Sequence, residues 1–226
     1  MQGTERDPAR TPVPARSSRM LPMAPEGWVF ILVPLAVAVG LLWLGWPKVA
    51  VLAALLAAFM AFFFRDPERT PPAVAGAILA PADGRVTEVR RDVSDAFVGA
   101  AHQVVIFLSP LDVHVNRASI AGRVASVERC PGGFLPAYRP EAERNRCVRI
   151  EVEGGLGRVA MRQVVGVLAR RIVCRVGPGD VLEAGQRFGI IMFGSRMDVV
   201  MPATARLAVR PGDRTRAGET ILGVME

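Results

Sequence analysis

The sequence predicts a mainly β domain over residues 65–226, preceded by an N-terminal α-helical membrane hairpin over residues 28–64. Three observations carry this expectation. Two uncharged apolar runs meet at a Pro-Lys pair. The apolar segments beyond them are short and rich in valine and isoleucine, and glycine and proline separate those segments.

The hairpin follows from length and charge. Trp28 to Trp46 carries no charge, Pro47 and Lys48 interrupt, and Val49 to Phe64 is again uncharged. One helix over this whole stretch would extend about 55 Å at ~1.5 Å per residue, against a hydrocarbon core of roughly 30 Å. It would also hold Lys48 near the bilayer centre at about 2.5–3.5 kcal/mol. A turn at Gly45–Lys48 removes both problems. The second run is short for a full crossing, so a spanning and a re-entrant hairpin both stay open. Arg6, Arg10, Arg16 and Arg19 precede the hairpin and Arg65 and Arg69 follow it, which places both ends on the cytoplasmic side of a bacterial inner membrane. Residues 1–27, rich in arginine, proline and serine without apolar periodicity, read as a flexible basic cytosolic arm. Charge and proline in FRDPERTPP mark the exit from the membrane.

In the β domain the expected strands include Val104–Leu108, Cys147–Val152 and Val159–Val167. An internal echo stands out: Val176–Gly185 reads VGPGDVLEAG and Val209–Gly218 reads VRPGDRTRAG, sharing VxPGDxxxAG. Pro-Gly-Asp sets turn geometry, so two similar turns would suffice. A duplicated hairpin, similar to the elements of lipoyl and biotinyl domains, is the sharper expectation and serves here as a fold signal.

Composition excludes several function classes. Of 28 Lys and Arg residues only Lys48 is a lysine, so the soluble part offers no lysine to hold pyridoxal phosphate or to be lipoylated or biotinylated. Cys130, Cys147 and Cys174 form no CxxC pair and are odd in number, against a secreted disulfide framework. The net charge of +7 suits an anionic membrane surface or nucleic acid, and no nucleic-acid motif supports the latter. No His, Cys and carboxylate cluster has metal-ligand spacing, so no metal is expected.

The residues that carry chemistry fall in three short motifs, PADGRV (Pro81–Val86), FLSPLDVHVNR (Phe107–Arg117) and FGSRMDVVMP (Phe193–Pro202). With FFFRDPERTPP after the hairpin, PGGFLPAY at Pro131–Tyr138 and ERN at Glu143–Asn145, their order and spacing resemble the short membrane-associated class of phosphatidylserine decarboxylases. The resemblance covers most of residues 26–226.

That resemblance implies self-cleavage at Gly194–Ser195 into a β chain, residues 1–194, and an α chain, residues 195–226. It implies that Ser195 becomes a pyruvoyl cofactor that forms a Schiff base with phosphatidylserine and decarboxylates it to phosphatidylethanolamine. The two chains would stay associated, with higher homo-oligomers open. Glycine before the serine suits the strained backbone and close approach of the attack. His114 is the expected proton-transfer residue, since imidazole titrates near neutrality, and Asp83 the expected helper in self-cleavage. His102, outside the motifs, reads as structural.

The chain departs from longer family members, which carry a second histidine where Arg117 stands. A protonated arginine is a poor base, so the base falls to His114 or to Asp83 through water. Asp198 is a further candidate helper. Arg117, Arg144 and Arg196 are candidates for binding the lipid phosphate or serine carboxylate, because a guanidinium fork matches both oxyanions. Two other readings stay open: a non-catalytic membrane-anchored adaptor, and the same chemistry on another serine-bearing lipid such as archaetidylserine or on a soluble amino acid.

Overall fold

A computed structural model describes residues 22–167, 171–192 and 194–225. Most of the arm expected at residues 1–27 lies outside the described residues. Its last part, residues 22–27, belongs to the fold: Ala24 is buried and donates its N–H to Phe64 O at 2.8 Å, and Glu26 pairs with Arg175 at 2.6 Å.

Helices α1 (Trp28–Trp43) and α2 (Pro47–Phe63) pack against one another. The turn between them falls at Leu44–Trp46, slightly earlier than expected, because Pro47 is preorganised for the first helical position. Gly45 supplies the left-handed φ of +75° that the turn requires. Lys48 therefore sits in the first turn of α2. Apolar side chains are exposed along both helices. The helical segment Pro25–Trp43 is long and apolar enough to cross a bilayer, while α2 is shorter.

The rest is β. The strands are β1 (Ala77–Leu79), β2 (Gly84–Asp95), β3 (Gly99–Leu108), β4 (Val115–Arg117), β5 (Gly122–Cys130), β6 (Cys147–Gly154) and β7 (Gly157–Val164). They continue with β8 (Ile172–Cys174), β9 (Val181–Leu182), β10 (Arg187–Ile191), β11 (Ser195–Pro202), β12 (Arg206–Leu207), β13 (Arg214–Thr215) and β14 (Ile221–Val224). An eight-stranded antiparallel sheet runs β13-β2-β3-β11-β7-β6-β5-β9, and two three-stranded sheets, β4-β10-β8 and β1-β14-β12, pack with it around one core. β11 lies in the middle of the large sheet and is buried on both faces.

The sequence echo is a structural repeat. Asp180 Oδ2 accepts from Gly177 N–H and Asp213 Oδ2 from Arg210 N–H. Gly179 N–H then donates to Val124 O and Gly212 N–H to Val86 O, each at 2.8 Å. The copies of Gly-Arg-Val that receive these turns, Gly84–Val86 and Gly122–Val124, begin β2 and β5, so the two turn units close the two ends of the large sheet as β13 and β9.

The exit from the hairpin is bolted to the domain. Buried Asp66 accepts from Arg187 Nε at 2.8 Å and from Arg117 at 3.4 Å. Arg69 bridges Asp83 and Glu219, both at 2.9 Å. Removing one partner of a buried ion pair strands the other, so Asp66→Ala should cost about 3–5 kcal/mol, read as a lower melting temperature of the detergent-solubilised chain.

Candidate active site

Ser195 opens β11, opposite Leu108 at the end of β3. The connection that leaves Leu108 reaches His114, whose carbonyl accepts the Ile191 N–H at 3.3 Å. Ile191 ends β10, and four residues later the chain is back at Ser195. Two facing connections are thus clamped at both ends, and they carry the expected nucleophile and the expected proton-transfer residue. Phe193 lies outside the described residues.

Gly194 sits in the left-handed region at φ +65°, where a Cβ is disfavoured. Its carbonyl packs onto Gly166: a Cβ there would stand 2.4 Å from Gly194 O. Gly166 follows Val165, whose carbonyl accepts from the Asn145 side chain at 2.8 Å. The same side chain exchanges two hydrogen bonds with the Leu135 backbone at 2.7 and 2.8 Å. The motifs PGGFLPAY and ERN therefore meet at one buried asparagine that fixes the segment against the Gly194 carbonyl. Gly166→Ala should displace that carbonyl and slow any reaction at it by about 10²-fold, as a misplacement near 1 Å does. A gel time course of chain cleavage measures this.

His114 is fully buried. Its ring packs on Phe63, the last residue of α2, with centroids 4.1 Å apart and planes inclined at 32°. Burial pushes the imidazole pKa down to about 4, partly opposed by the hydrogen bond to the Asp112 carbonyl and by the Asp112 carboxylate. Nδ1 lies 2.9 Å from Asp112 O. A carbonyl only accepts, which assigns the proton to Nδ1 and leaves the lone pair on Nε2. That Nε2 has no hydrogen-bond partner among the described residues, and neither has the buried Ser195 Oγ. The two expected catalytic atoms are thus among the few orphaned buried polar atoms of the described residues.

Asp83, largely buried, accepts from Ala217 N–H at 2.7 Å and from Arg69. Burial raises its pKa, opposed by these two donors. It borders an open cleft of about 500 Å³ beside Val113, where Arg65, Arg69 and Arg216 also face in, at the foot of α2. In the sheet Asp83 precedes β2, separated from β11 by β3, and its carboxylate is engaged on this cleft side.

The arginines expected to bind substrate are placed differently. Arg117 is buried and spends its guanidinium on Asp66, Pro67 O and Gly185 O. Burial and nearby Arg187 lower its pKa to about 10, so it remains a cation at neutral pH. Arg196 is buried and holds Asp198 at 2.5 and 3.1 Å. Alternation along β11 puts this pair on the face opposite Ser195, which removes Asp198 as a helper to the serine. Arg144 ends a short 3-10 turn, Pro140–Arg144, and is exposed. His102 accepts from Asp92 N–H at 3.4 Å and keeps its structural reading. No metal-binding group of His, Cys, Asp or Glu occurs among the described residues.

A sequence profile of the phosphatidylserine decarboxylase family matches residues 56–223, which include all three motifs and the whole clamped pair of connections. The chain belongs to the phosphatidylserine decarboxylase family. A phosphatidylserine decarboxylase proenzyme of Symbiobacterium thermophilum is 47% identical over 205 residues, covering 89% of this chain and 94% of its own. Proenzymes of the same name from Chlorobium chlorochromatii and Nocardia farcinica are 46% and 43% identical, over 73% and 90% of this chain and 78% and 88% of their own. Both cleft and clamp thus lie in the part that this decarboxylase family shares.

Proposed function

We propose that this chain is the precursor of a membrane-held enzyme that cleaves itself at Gly194–Ser195 and then decarboxylates phosphatidylserine to phosphatidylethanolamine. One observation carries the reading: a glycine at left-handed φ, its carbonyl seated against Gly166, is followed by a buried serine hydroxyl without a partner. Family membership supplies the substrate class.

In the self-cleavage step His114 Nε2 is the base. It bears the lone pair and is neutral at pH 7, whereas the Asp83 carboxylate already holds two donors. Ser195 Oγ loses its proton to Nε2 and attacks the Gly194 carbonyl carbon; the Ser195 nitrogen takes that proton back as it leaves as an amine, giving an ester. Removal of the Ser195 α-proton then breaks the Cβ–Oγ bond, which releases the Gly194 carboxylate and leaves dehydroalanine. Tautomerisation and addition of water expel ammonia and leave a pyruvoyl group at residue 195. The site fits that group, because the Ser195 hydroxyl it loses is buried without a partner among the described residues, so its loss strands no hydrogen bond. Its ketone supplies the electron sink that an amino-acid decarboxylation needs.

The chain's own residues do the rest. Neutral His114 takes a proton from the incoming ammonium and returns one to the carbon left by carbon dioxide. Phe63 and the surrounding apolar side chains exclude water from that exchange. The cleft at the foot of α2 receives the anionic headgroup beside Arg65 and Arg216, Arg69 being held by Asp83 and Glu219, where a lipid in the cytoplasmic leaflet presents it. Arg117 and Arg196 stabilise the fold instead.

The test is product analysis. The chain in vesicles of phosphatidylserine should release phosphatidylethanolamine and carbon dioxide. Turnover of archaetidylserine alone would move the substrate, and equal turnover of free serine would remove the headgroup cleft from the reading.

A further inference from the structure

Two more orphaned atoms sit in the same interior as Ser195 Oγ and His114 Nε2: Asn116 Nδ2 and Gln163 Oε1. Both residues are fully buried, and Gln163 Nε2 donates to Asn116 Oδ1 at 2.8 Å. This bond joins the two sheets, from β7 in the large one to β4 in the small one. Gly189 on β10, opposite Asn116, makes the passage, since a Cβ there would stand 3.0 Å from Gln163 Nε2. Satisfied at one end only, each amide carries the cost of an unpaired buried group. An apolar pair would avoid that cost.

The registers say where the free ends belong. Gln163 lies opposite Met197 on β11, so its side chain shares a face with Met197 and, one alternation on, with Ser195. Such diagonal neighbours are roughly 7–8 Å apart between backbones and within reach of a long side chain. Asn116 follows His114 by two residues, on a segment whose bonding to β10 starts at the His114 carbonyl. The amide pair therefore runs from the serine side of the site to the histidine side.

We propose that Gln163 and Asn116 form a positioning pair for the Ser195 hydroxyl, with the free Gln163 oxygen sharing the Ser195 O–H in a three-centre bond with His114 Nε2, to which the proton passes, as the hydroxyl turns toward the Gly194 carbonyl. This rests on the reading of Gly194–Ser195 as the self-cleavage site. Such bonds are often long before the reactive complex and tighten in it. The pair supplies alignment that position 117 cannot, because Arg117 is held by Asp66, Pro67 and Gly185. An amide does not titrate between pH 5 and 8, so this alignment adds no pH dependence of its own.

Cell-free synthesis of the full chain into lipid nanodiscs, sampled on gels, times the break at Gly194–Ser195. The double variant N116L/Q163L removes both amides together and should be as stable as wild type or more so, yet break about 10²-fold more slowly. Q163E keeps the shape and offers Ser195 a titratable acceptor, so its rate should climb with pH where wild type is flat. A folded double variant that breaks at the wild-type rate overturns the pair. If the double variant does not fold, Q163E decides: a wild-type pH profile overturns it. A wild-type chain that stays whole overturns the self-cleavage reading and this one with it, whereas equal breakage in wild type and variant overturns this one alone.

Discussion

Ser195→Ala should leave the 226-residue chain whole, where the wild type gives two fragments joining at Gly194 and Ser195. Without Oγ there is no atom to form the ester, and without the ester there is no Cβ–Oγ bond to break. The loss is complete, not graded. The variant should also fold at least as well as the wild type. Its missing hydroxyl is buried with no partner among the described residues, a burden of up to about 1–3 kcal/mol, so its melting temperature should hold or rise. Intact-mass analysis with a thermal melt reads both quantities on one sample. A smaller fragment with a blocked, carbonyl-bearing amino terminus in the wild type, absent from a stable variant, is the expected result. Two fragments from the alanine variant would place the break under an external protease and remove Ser195 from the chemistry.

The parts of this site that were legible in the sequence are those written in local pattern. Gly194 before Ser195 and the echo of VxPGDxxxAG could be read because turns are set by a few adjacent residues. The hairpin could be read because apolar length and Lys48 are properties of a segment. What stayed hidden depends on segments far apart in the chain. Phe63 is one of three successive phenylalanines in an apolar run, and nothing local says that it, rather than Phe62, packs on His114. Gly166 is an ordinary glycine until the fold sets it against the Gly194 carbonyl. Asn145 in ERN reads as a surface polar residue until its three hydrogen bonds are seen. One signal was available: Arg196 and Asp198 are two apart on a strand, so period-two alternation already puts them on one face as a pair. Arg117 gave no such sign, because its partner Asp66 is distant in sequence.

His114→Ala should slow self-cleavage by about 10²–10⁴-fold, the usual contribution of a positioned base, and the wild-type pH profile should show where that base titrates. Self-cleavage uses the neutral imidazole, and burial against Phe63 and its neighbours pushes the pKa down from 6.5 to about 4. The rate should therefore stay level from pH 8 to about pH 5 and fall only below it. Phe63→Ala lets water reach the ring, which raises the pKa toward 6.5 and moves the acid limb up with it. The same burial couples to stability. The folded state binds this proton more weakly than the unfolded chain, so stability falls as pH drops from about 6.5 through about 4, by about 3 kcal/mol from this group. His114→Phe, which cannot titrate, should lose that part of the slope while Phe63→Ala shrinks it. Rate and stability would then shift along the pH axis together between the wild type and Phe63→Ala. A rate limb near 6.5 in the wild type would mean that the ring is wet in the reacting state, and the end of α2 would no longer be a wall of the active site.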